Sequence, residues 1–256
     1  MTTLLAVLSP AKRMDLSSPA DKGAFTDILF PEMSQEIMRT VSSWSVDEIK
    51  KRMAVNDALA METHARHQSW KWPADSDVKR AALFLFQGEV YRGLDARSLS
   101  KSAVKRAQSQ LRILSGLYGA LRASDGILPY RLMMGTPFAP NAQHKSLVSF
   151  WSEAVTKHIQ SSLKPKGVLV NLASDEYSSV IQPKTLQRTI LRCSFMEGGK
   201  QKPKVVSTYA KLARGKMARY LLENGITKPN DLKSFQEDGY VFDTRLSNEE
   251  HYIFIR

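Results

Sequence analysis

The chain has 256 residues, of which 43% are hydrophobic, and it carries a formal net charge of +12 at pH 7. This length and apolar content suit one hydrophobic core, so we expect a single domain over residues 1–256. The lone Cys193 leaves no intramolecular disulfide, and no segment approaches the roughly 20 apolar residues of a membrane-spanning helix. Because the apolar run at residues 4–8 is too short for a secretory leader, we expect a cytoplasmic protein that does not enter the membrane.

Short apolar runs predict the strands of one mixed sheet. The first run, residues 4–8, ends at Ser9-Pro10, and an apolar run bounded by such a turn signal is typical of a strand in a sheet interior. Residues 168–172 have the same pattern. Further predicted strands, each short and rich in β-branched or aromatic residues, are residues 190–196, 204–207, 240–243 and 252–255.

Helical patterns occupy the segments between these strands. Ser45 and Glu48 form a capping-box pattern that predicts a helix through the mid-fifties. Apolar residues at three- and four-residue steps predict a long amphipathic helix over residues 103–121, interrupted late by Gly116 and Gly119. The other predicted helices are residues 78–91, 147–163 and 208–223. Together these elements predict a mixed α/β fold in which helices surround a central mixed sheet.

The positive charge is concentrated in two windows, residues 96–124 and residues 198–222, which contain many Lys and Arg residues and no Asp or Glu. A solvated surface usually mixes both signs of charge, so acid-free windows favour a polyanionic partner, and DNA is the partner we expect. The alternative is that the positive surface serves solubility alone.

The predicted helix at residues 208–223 gives the clearest spacing. At 100° per residue, Lys211, Arg214 and Arg219 fall on one flank of this helix. The positions between them are Gly215 and Ala218, so the pattern predicts an open flank that a phosphate could approach. An ordinary solvated helix face would have the same periodicity.

Polar residues follow two of the predicted strands. If both strands lie in one sheet, their carboxyl ends can meet at one edge, where ligand crevices commonly form. The side chains that would line such a pocket are those of Ser9, Lys12, Asn171, Ser174, Glu176 and Tyr177. The alternative is turn chemistry, because Ser, Asn and Asp favour loops through local backbone hydrogen bonds.

The glycine pair at Gly116 and Gly119 predicts a hairpin between two short helices, whose backbone N–H groups would face phosphate oxygens. Two glycines that end a helix or allow close packing would explain the pattern equally well. His64 and His67 are predicted to be surface residues, since no second cluster completes a metal site. We therefore predict neither a metal nor another cofactor.

Several segments, in order along nearly the whole chain, resemble the bacterial YaaA peroxide-stress family. They are residues 9–12 (SPAK), 88–94 (GEVYRGL), 111–121, 129–132 (PYRL), 171–177 (NLASDEY) and 210–215 (AKLARG). The resemblance implies an α/β fold of its own type and a cytoplasmic protein that limits oxidative damage and free iron. It also implies DNA binding, largely independent of sequence, through a positively charged cleft with a helix-hairpin-helix element.

By position, the resemblance implies two sets of site residues. The DNA- or phosphate-binding candidates are Lys12, Arg112, Arg122, Arg131, Lys211, Arg214 and Arg219. The pocket candidates are Ser9, Asn171, Ser174, Glu176 and Tyr177. The family usually has an acidic residue where this chain has Met133, so we assign no acid–base chemistry to that loop.

Two other functions remain open at this point. In the first, the protein is an enzyme that acts on a nucleotide or another small phosphate-bearing substrate, with Lys12, Lys211 and Arg214 holding the phosphate and Glu176 or Tyr177 moving a proton. In the second, it is a protein-interaction module, which predicts an exposed apolar patch. The resemblance favours a binding protein over an enzyme.

Overall fold

The computed structural model describes residues 1–16, 25–198 and 202–256. Its strands, in chain order, are β1 (Thr2–Leu8), β2 (Arg13–Met14), β3 (Arg80–Ala81), β4 (Phe86–Gln87), β5 (Leu111–Ser115), β6 (Gly119–Leu121), β7 (Gly126–Ile127), β8 (Leu163–Asn171), β9 (Thr189–Met196), β10 (Val241–Phe242) and β11 (His251–Ile255). Its α-helices are α1 (Pro31–Ser42), α2 (Val46–Met53), α3 (Asp57–Ser69), α4 (Ala82–Leu85), α5 (Glu89–Leu94), α6 (Lys101–Gln110), α7 (Leu147–Ser162), α8 (Asp175–Ser178), α9 (Pro183–Leu186) and α10 (Ser207–Glu223). Short 3-10 helices lie at Ala96–Ser98, Pro229–Ser234 and Glu237–Gly239.

The central sheet has seven strands in the order β10-β11-β9-β8-β1-β5-β6. Neighbouring strands from β11 through β5 are parallel, whereas β10 and β6 run antiparallel at the two edges. The mixed α/β class predicted from the sequence is therefore confirmed. Because β1, β5, β8 and β9 are parallel, the loops that follow them emerge at the same edge of the sheet.

The core lies on both faces of β1, an interior strand of the sheet between β8 and β5. Leu4 and Leu5 point to opposite faces, and both are fully buried. Helices α7 and α10 both contact β1. A strand buried on both faces has no polar positions, which explains the uninterrupted apolar run that made β1 predictable.

Several predicted elements are confirmed. The capping box is formed at α2, where the Glu48 amide donates to Ser45 Oγ (3.2 Å) and the Ser45 amide donates to the Glu48 carboxylate (2.9 Å). Strands β1, β8, β9, β10 and β11 and helices α7 and α10 lie where the sequence predicts them. Residues 204–207 do not form a strand, because Lys204 makes only an isolated bridge with Glu197 and Ser207 begins α10.

The helix predicted over residues 78–91 is wrong. This segment divides into β3, α4, β4 and the start of α5. The amides of Ala82 and Leu83 donate to the carbonyls of Asp125 (2.9 Å) and Ala123 (3.0 Å). Pairing with a distant segment therefore overrides the helical periodicity here.

The prediction of one helix over residues 103–121 is also wrong beyond Gln110, where α6 ends. The chain leaves α6 and enters β5, which pairs in parallel with β1 through Leu111 and Ile113. A turn then leads into β6, with Gly119 at φ 69°. The hairpin at the two glycines is thus a β-hairpin, and the predicted pair of short helices is absent from this segment. Apolar residues on both faces of a buried strand satisfy a helical spacing equally well.

Candidate functional site

The loops after β1 and β8 meet at the carboxyl edge of the sheet, as the sequence predicts. The Ser174 amide donates to Ser9 Oγ (2.9 Å), and the two serine hydroxyl oxygens lie 3.2 Å apart. The Leu172 amide donates to the Val7 carbonyl (3.1 Å), which holds the second loop alongside the first. We call residues 9–12, 130–135, 171–177 and 211–214 the carboxyl-edge site.

Helix α5 contacts this site through Tyr91. The Tyr91 hydroxyl donates to the Ser9 carbonyl (2.9 Å) and so fixes the loop after β1. Tyr91 belongs to the GEVYRGL segment, but the sequence alone did not single it out as a site residue. A buried tyrosine whose hydroxyl must find a partner was the available signal.

The predicted pocket residues mainly hold the loops in place. Asn171 Oδ1 accepts from the Ala173 amide (2.9 Å), which is local turn chemistry. Glu176 Oε1 accepts from the Gly135 amide (3.0 Å) and thereby ties the loop after β8 to residues 130–135. Tyr177 is buried, and this burial raises the pKa of its phenol, which stays protonated near neutral pH.

Little free space remains between these loops. The cavity lined by Lys12, Tyr130, Arg131, Met133 and Tyr177 has a volume of about 10 Å³. That volume is enough for about one water molecule. Ser9, Asn171, Ser174 and Glu176 do not line it.

Two arginines at this site have buried donors without acceptors. Arg131 and Arg214 are half-buried, and the Nε atom of each is buried without a hydrogen-bond partner in the part of the chain that the structure describes. Burial lowers the pKa of both guanidinium groups, but an arginine remains protonated at neutral pH. Leaving a buried donor unpaired costs about 1–3 kcal/mol. A bound anion would supply the missing acceptors.

The surroundings of Arg214 add two residues that the sequence interpretation missed. Burial chiefly lowers its pKa, Asp175 opposes this shift, and the positive charge of Arg192 adds to it. Arg192 itself pairs with Asp175 at 2.5 Å. The signal for Arg192 was a charged residue in the middle of a predicted strand.

Lys12 and Lys211 provide further positive charge at the carboxyl-edge site. Both side chains are exposed, and neither forms an ion pair within residues 1–16, 25–198 and 202–256. The Lys12 carbonyl accepts from Arg131 (3.4 Å), and Lys211 is one turn before Arg214 on α10. This concentration of positive charge makes the edge attractive to phosphate groups.

The other three candidate arginines have partners inside the protein. The guanidinium of Arg112, only 5% exposed, donates to His158 Nε2 (2.9 Å) and to the carbonyls of Gln108 and Leu111. Arg122 pairs with the buried Asp125 carboxylate at 2.8 Å. Arg112 thus lies within β5 and Arg122 directly follows β6, and neither belongs to the carboxyl-edge site.

Arg219 likewise connects two elements of the fold. Its guanidinium donates to the Asp95 carbonyl and to Ser98 Oγ, both at 2.9 Å. These contacts join the last turns of α10 to the end of α5. Arg219 therefore lies away from Lys211 and Arg214, although the helical spacing placed all three on one flank.

The open flank predicted at Gly215 and Ala218 is wrong. Both residues are buried where α10 crosses α5. A Cβ atom at Gly215 would lie 1.8 Å from the Val90 carbonyl oxygen, and one at Gly93 would lie 2.1 Å from the Leu212 carbonyl oxygen. The small residues therefore allow close packing of two helices and leave no room for a phosphate.

Of the two histidines near Glu62, His64 is half-buried and His67 differs from its prediction as a surface residue. His67 is buried, and its ring nitrogens contact the carbonyls of Val41 (3.3 Å) and Arg131 (3.2 Å). Among the described residues, no group of three or more His, Cys, Asp or Glu side chains is arranged to hold a metal ion. Nor does any helix in the described ranges have the length and apolar character needed to cross a membrane.

Comparisons with known proteins give a consistent result. The family described as "Peroxide stress protein YaaA" matches residues 4–246. A UPF0246 protein of Hahella chejuensis is 42% identical over 260 residues, covering 99% of both chains. UPF0246 proteins of Burkholderia orbicola and Burkholderia cenocepacia are 39% and 38% identical over 257 residues, covering 99% of this chain and 98% of each relative.

Proposed function

The chain belongs to the family of the peroxide stress protein YaaA, and from this premise we propose that it is a cytoplasmic protein that binds DNA at the carboxyl-edge site and limits oxidative damage to it. The contacts would be to backbone phosphates and largely independent of sequence. Occupancy of the DNA would restrict iron-driven damage at the covered segment.

The observation that carries this proposal is the pair of unpartnered arginine donors. The Nε atoms of Arg131 and Arg214 are buried at one edge of the sheet, without an acceptor in the described residues. Phosphate oxygens are suitable acceptors for arginine because they form short, charge-assisted hydrogen bonds with it.

The charge of the whole chain supports the same partner. A net charge of +12 attracts DNA over long distances, and lysines that neutralise phosphates release bound counterions. Lys12 and Lys211 are exposed for that role. We therefore expect affinity to fall steeply as salt concentration rises.

The enzyme alternative has less support. A small phosphate-bearing substrate needs a pocket of roughly 300 Å³ or more, and the space beside Lys12 and Tyr177 is about 10 Å³. Asn171 and Glu176, expected to bind or activate substrate, form hydrogen bonds that hold the loops together. These contacts suit a rigid surface for a large ligand better than a site that encloses a small one.

Fluorescence anisotropy of a labelled DNA duplex across a salt series tests the proposal. The site variant combines Lys211→Glu with Arg214→Gln. Its matched control combines Lys164→Glu with Lys166→Gln, which changes the net charge equally at the opposite end of β8, where both lysines are exposed.

The site variant should bind at least about tenfold more weakly and with a shallower salt dependence, because phosphate contacts are lost. The control should stay within about threefold of the natural protein, since it changes only the long-range field. Equal losses in both variants would contradict a localised site. Absence of binding to the natural protein at low salt would contradict DNA binding altogether.

A further inference from the structure

His67 is a buried histidine whose two ring nitrogens both face backbone carbonyl oxygens. It lies near the end of α3 and is only 1% exposed. Its Nδ1 atom is 3.3 Å from the Val41 carbonyl oxygen on α1, and its Nε2 atom is 3.2 Å from the Arg131 carbonyl oxygen. A neutral imidazole has one N–H group and can serve only one of these acceptors, whereas the protonated ring serves both. The surroundings of His67 thus include an acceptor for a second proton.

The N–H group of the neutral ring is needed at Nε2. The Val41 carbonyl already accepts from the Trp44 amide (3.4 Å), whereas the Arg131 carbonyl belongs to the loop that carries an arginine of the carboxyl-edge site. An N–H group on Nε2 ties this loop to α3, and the Nδ1 lone pair then faces the Val41 oxygen. A proton added at Nδ1 would turn that contact into a second hydrogen bond.

Burial and neighbouring positive charges keep this second proton off the free protein. Burial is the largest cause that lowers the pKa of His67, the two carbonyls oppose it, and the charges of His64 and Arg66 add to it. The buried residues of α1 and α2, which pack against α3, are uncharged, and the loop at residues 130–135 contributes the guanidinium of Arg131. The ring is therefore neutral in the free protein near pH 7.

A phosphate at Arg131 would oppose these positive charges. The charge of Arg66 lowers the pKa of Arg131 as well as that of His67, so the three groups lie within reach of one another. The Arg131 Nε atom has no partner in the described residues, and a phosphate that accepts from it brings negative charge into this group. An opposite charge nearby raises the pKa of a histidine. At 0.1 M salt such charges act over about 10 Å.

We propose that His67 positions Arg131 for contact with a DNA phosphate and takes up a proton when DNA binds. The inference rests on the proposed function and deepens it, because it names a regulation of the same site. The proton comes from the solvent and binds Nδ1, which then donates to the Val41 carbonyl, while the Nε2 N–H group continues to donate to the Arg131 carbonyl. One ring then holds the Arg131 loop to both α1 and α3. His67 acts through Arg131 and is therefore a positioning residue.

Proton uptake makes the affinity for DNA depend on pH. The gain in affinity is complete below the pKa that His67 has in the free protein, and it is lost as the pH rises through the higher pKa that His67 has in the complex. A phosphate that raises this pKa by about one increases the affinity about tenfold.

The first test measures the pKa of His67 directly, by NMR of protein labelled with ¹⁵N-histidine, with and without a DNA duplex. His67→Gln identifies the resonances of His67, since glutamine can donate to the Arg131 carbonyl but does not titrate. Its matched control is His64→Gln, three residues earlier on α3, where the histidine is half-buried and its Nδ1 atom contacts the Trp44 carbonyl at 3.0 Å. His67 should titrate at a higher pH in the complex than in the free protein.

The second test is fluorescence anisotropy of the labelled duplex between pH 8 and pH 5.5 at constant salt. The rise in affinity on acidification should be at least about threefold larger in the natural protein than in His67→Gln, and His64→Gln should keep the natural rise. At pH 8, His67→Leu should bind at least about threefold more weakly than His67→Gln, because leucine cannot donate to the Arg131 carbonyl.

A pKa of His67 that DNA leaves unchanged overturns the inference and leaves the proposed function intact. A natural rise in affinity that survives in His67→Gln overturns it as well. Equal affinities of His67→Gln and His67→Leu at pH 8 overturn the positioning role. Absence of DNA binding by the natural protein at every pH rejects the proposed function itself.

Discussion

Five arginines that the sequence groups together as phosphate-binding candidates fall into two regions of the molecule with different contacts. At the carboxyl-edge site, Arg131 and Arg214 each have a buried Nε atom without a partner in the described residues. In the interior and at the α5–α10 crossing, Arg112, Arg122 and Arg219 form hydrogen bonds or ion pairs within the protein. The residue type is the same, so the partners already present decide whether an arginine stabilises the fold or remains available for a ligand.

The largest effect on stability should come from a substitution that separates α5 from α10. Gly215→Val places a side chain against the Val90 carbonyl oxygen, where even a Cβ atom would lie at 1.8 Å. We expect the free energy of unfolding to fall by about 3 kcal/mol or more. Urea unfolding followed by circular dichroism measures this change. Lys211→Ala, at an exposed position of the same helix, should change it by less than about 0.5 kcal/mol.

The interior arginines also predict a dependence of stability on pH. Burial and the charges of Arg112 and Arg122 lower the pKa of His158 to about 4. In the unfolded chain this histidine binds a proton near pH 6.5, whereas in the folded protein it stays neutral down to about pH 4. The free energy of unfolding is therefore highest above pH 6.5 and falls as the pH drops toward 4. Between pH 7 and pH 5 this histidine should lower the free energy of unfolding by about 2 kcal/mol.

His158→Gln provides the control for that prediction, because glutamine can still accept from Arg112 but does not titrate. Chemical unfolding at pH 7 and pH 5 should show a smaller loss of stability in the variant. An identical loss in both proteins would show that His158 does not carry the effect.

Arg219→Ala tests whether an arginine with partners inside the protein stabilises the fold without binding DNA. The variant loses the hydrogen bonds to the Asp95 carbonyl and to Ser98 Oγ, which should reduce the free energy of unfolding by about 1–2 kcal/mol. Its affinity for DNA should fall by less than about threefold, because these contacts do not involve the carboxyl-edge site. A tenfold loss of affinity with unchanged stability would place Arg219 in the DNA interface.

Arg214→Met tests an arginine of the carboxyl-edge site and should have the smallest effect on stability of these variants. Removing a half-buried charge with an unpaired donor should leave the free energy of unfolding unchanged or raise it by up to about 1 kcal/mol. DNA affinity should nevertheless fall by about tenfold or more. Marked destabilisation of this variant would show that Arg214 supports the fold.

The parts of the fold that the sequence predicts are those governed by local chemistry. An uninterrupted apolar run predicts β1, and the Ser45–Glu48 pair predicts the start of α2, because both signals lie within a few residues of the element they specify. Strand β5 was misassigned since Leu111, Ile113 and Leu114 fit a helix as well as a strand buried on both faces. Only its pairing with β1 decides between them.

The candidate site was predictable to a similar extent. Parallel strands bring the Ser9 and Ser174 loops together, and that juxtaposition follows from topology. The partners of each arginine do not follow from topology, because they depend on acceptors contributed by distant segments, such as the Asp95 carbonyl that binds Arg219. Periodicity likewise identifies the face that contains Gly215 but cannot say that α5 covers it.

The contact between Ser9 and Ser174, which spans 165 positions of the chain, also has a consequence for how the protein is made. The first strand synthesised becomes an interior strand of the sheet, between β5 and β8. Until both partners have left the ribosome, β1 has two open sides, and pairings between such distant segments form slowly. The carboxyl-edge site is therefore assembled late in synthesis, and a chain released before residue 174 would lack both the loop after β8 and helix α10, which complete that site.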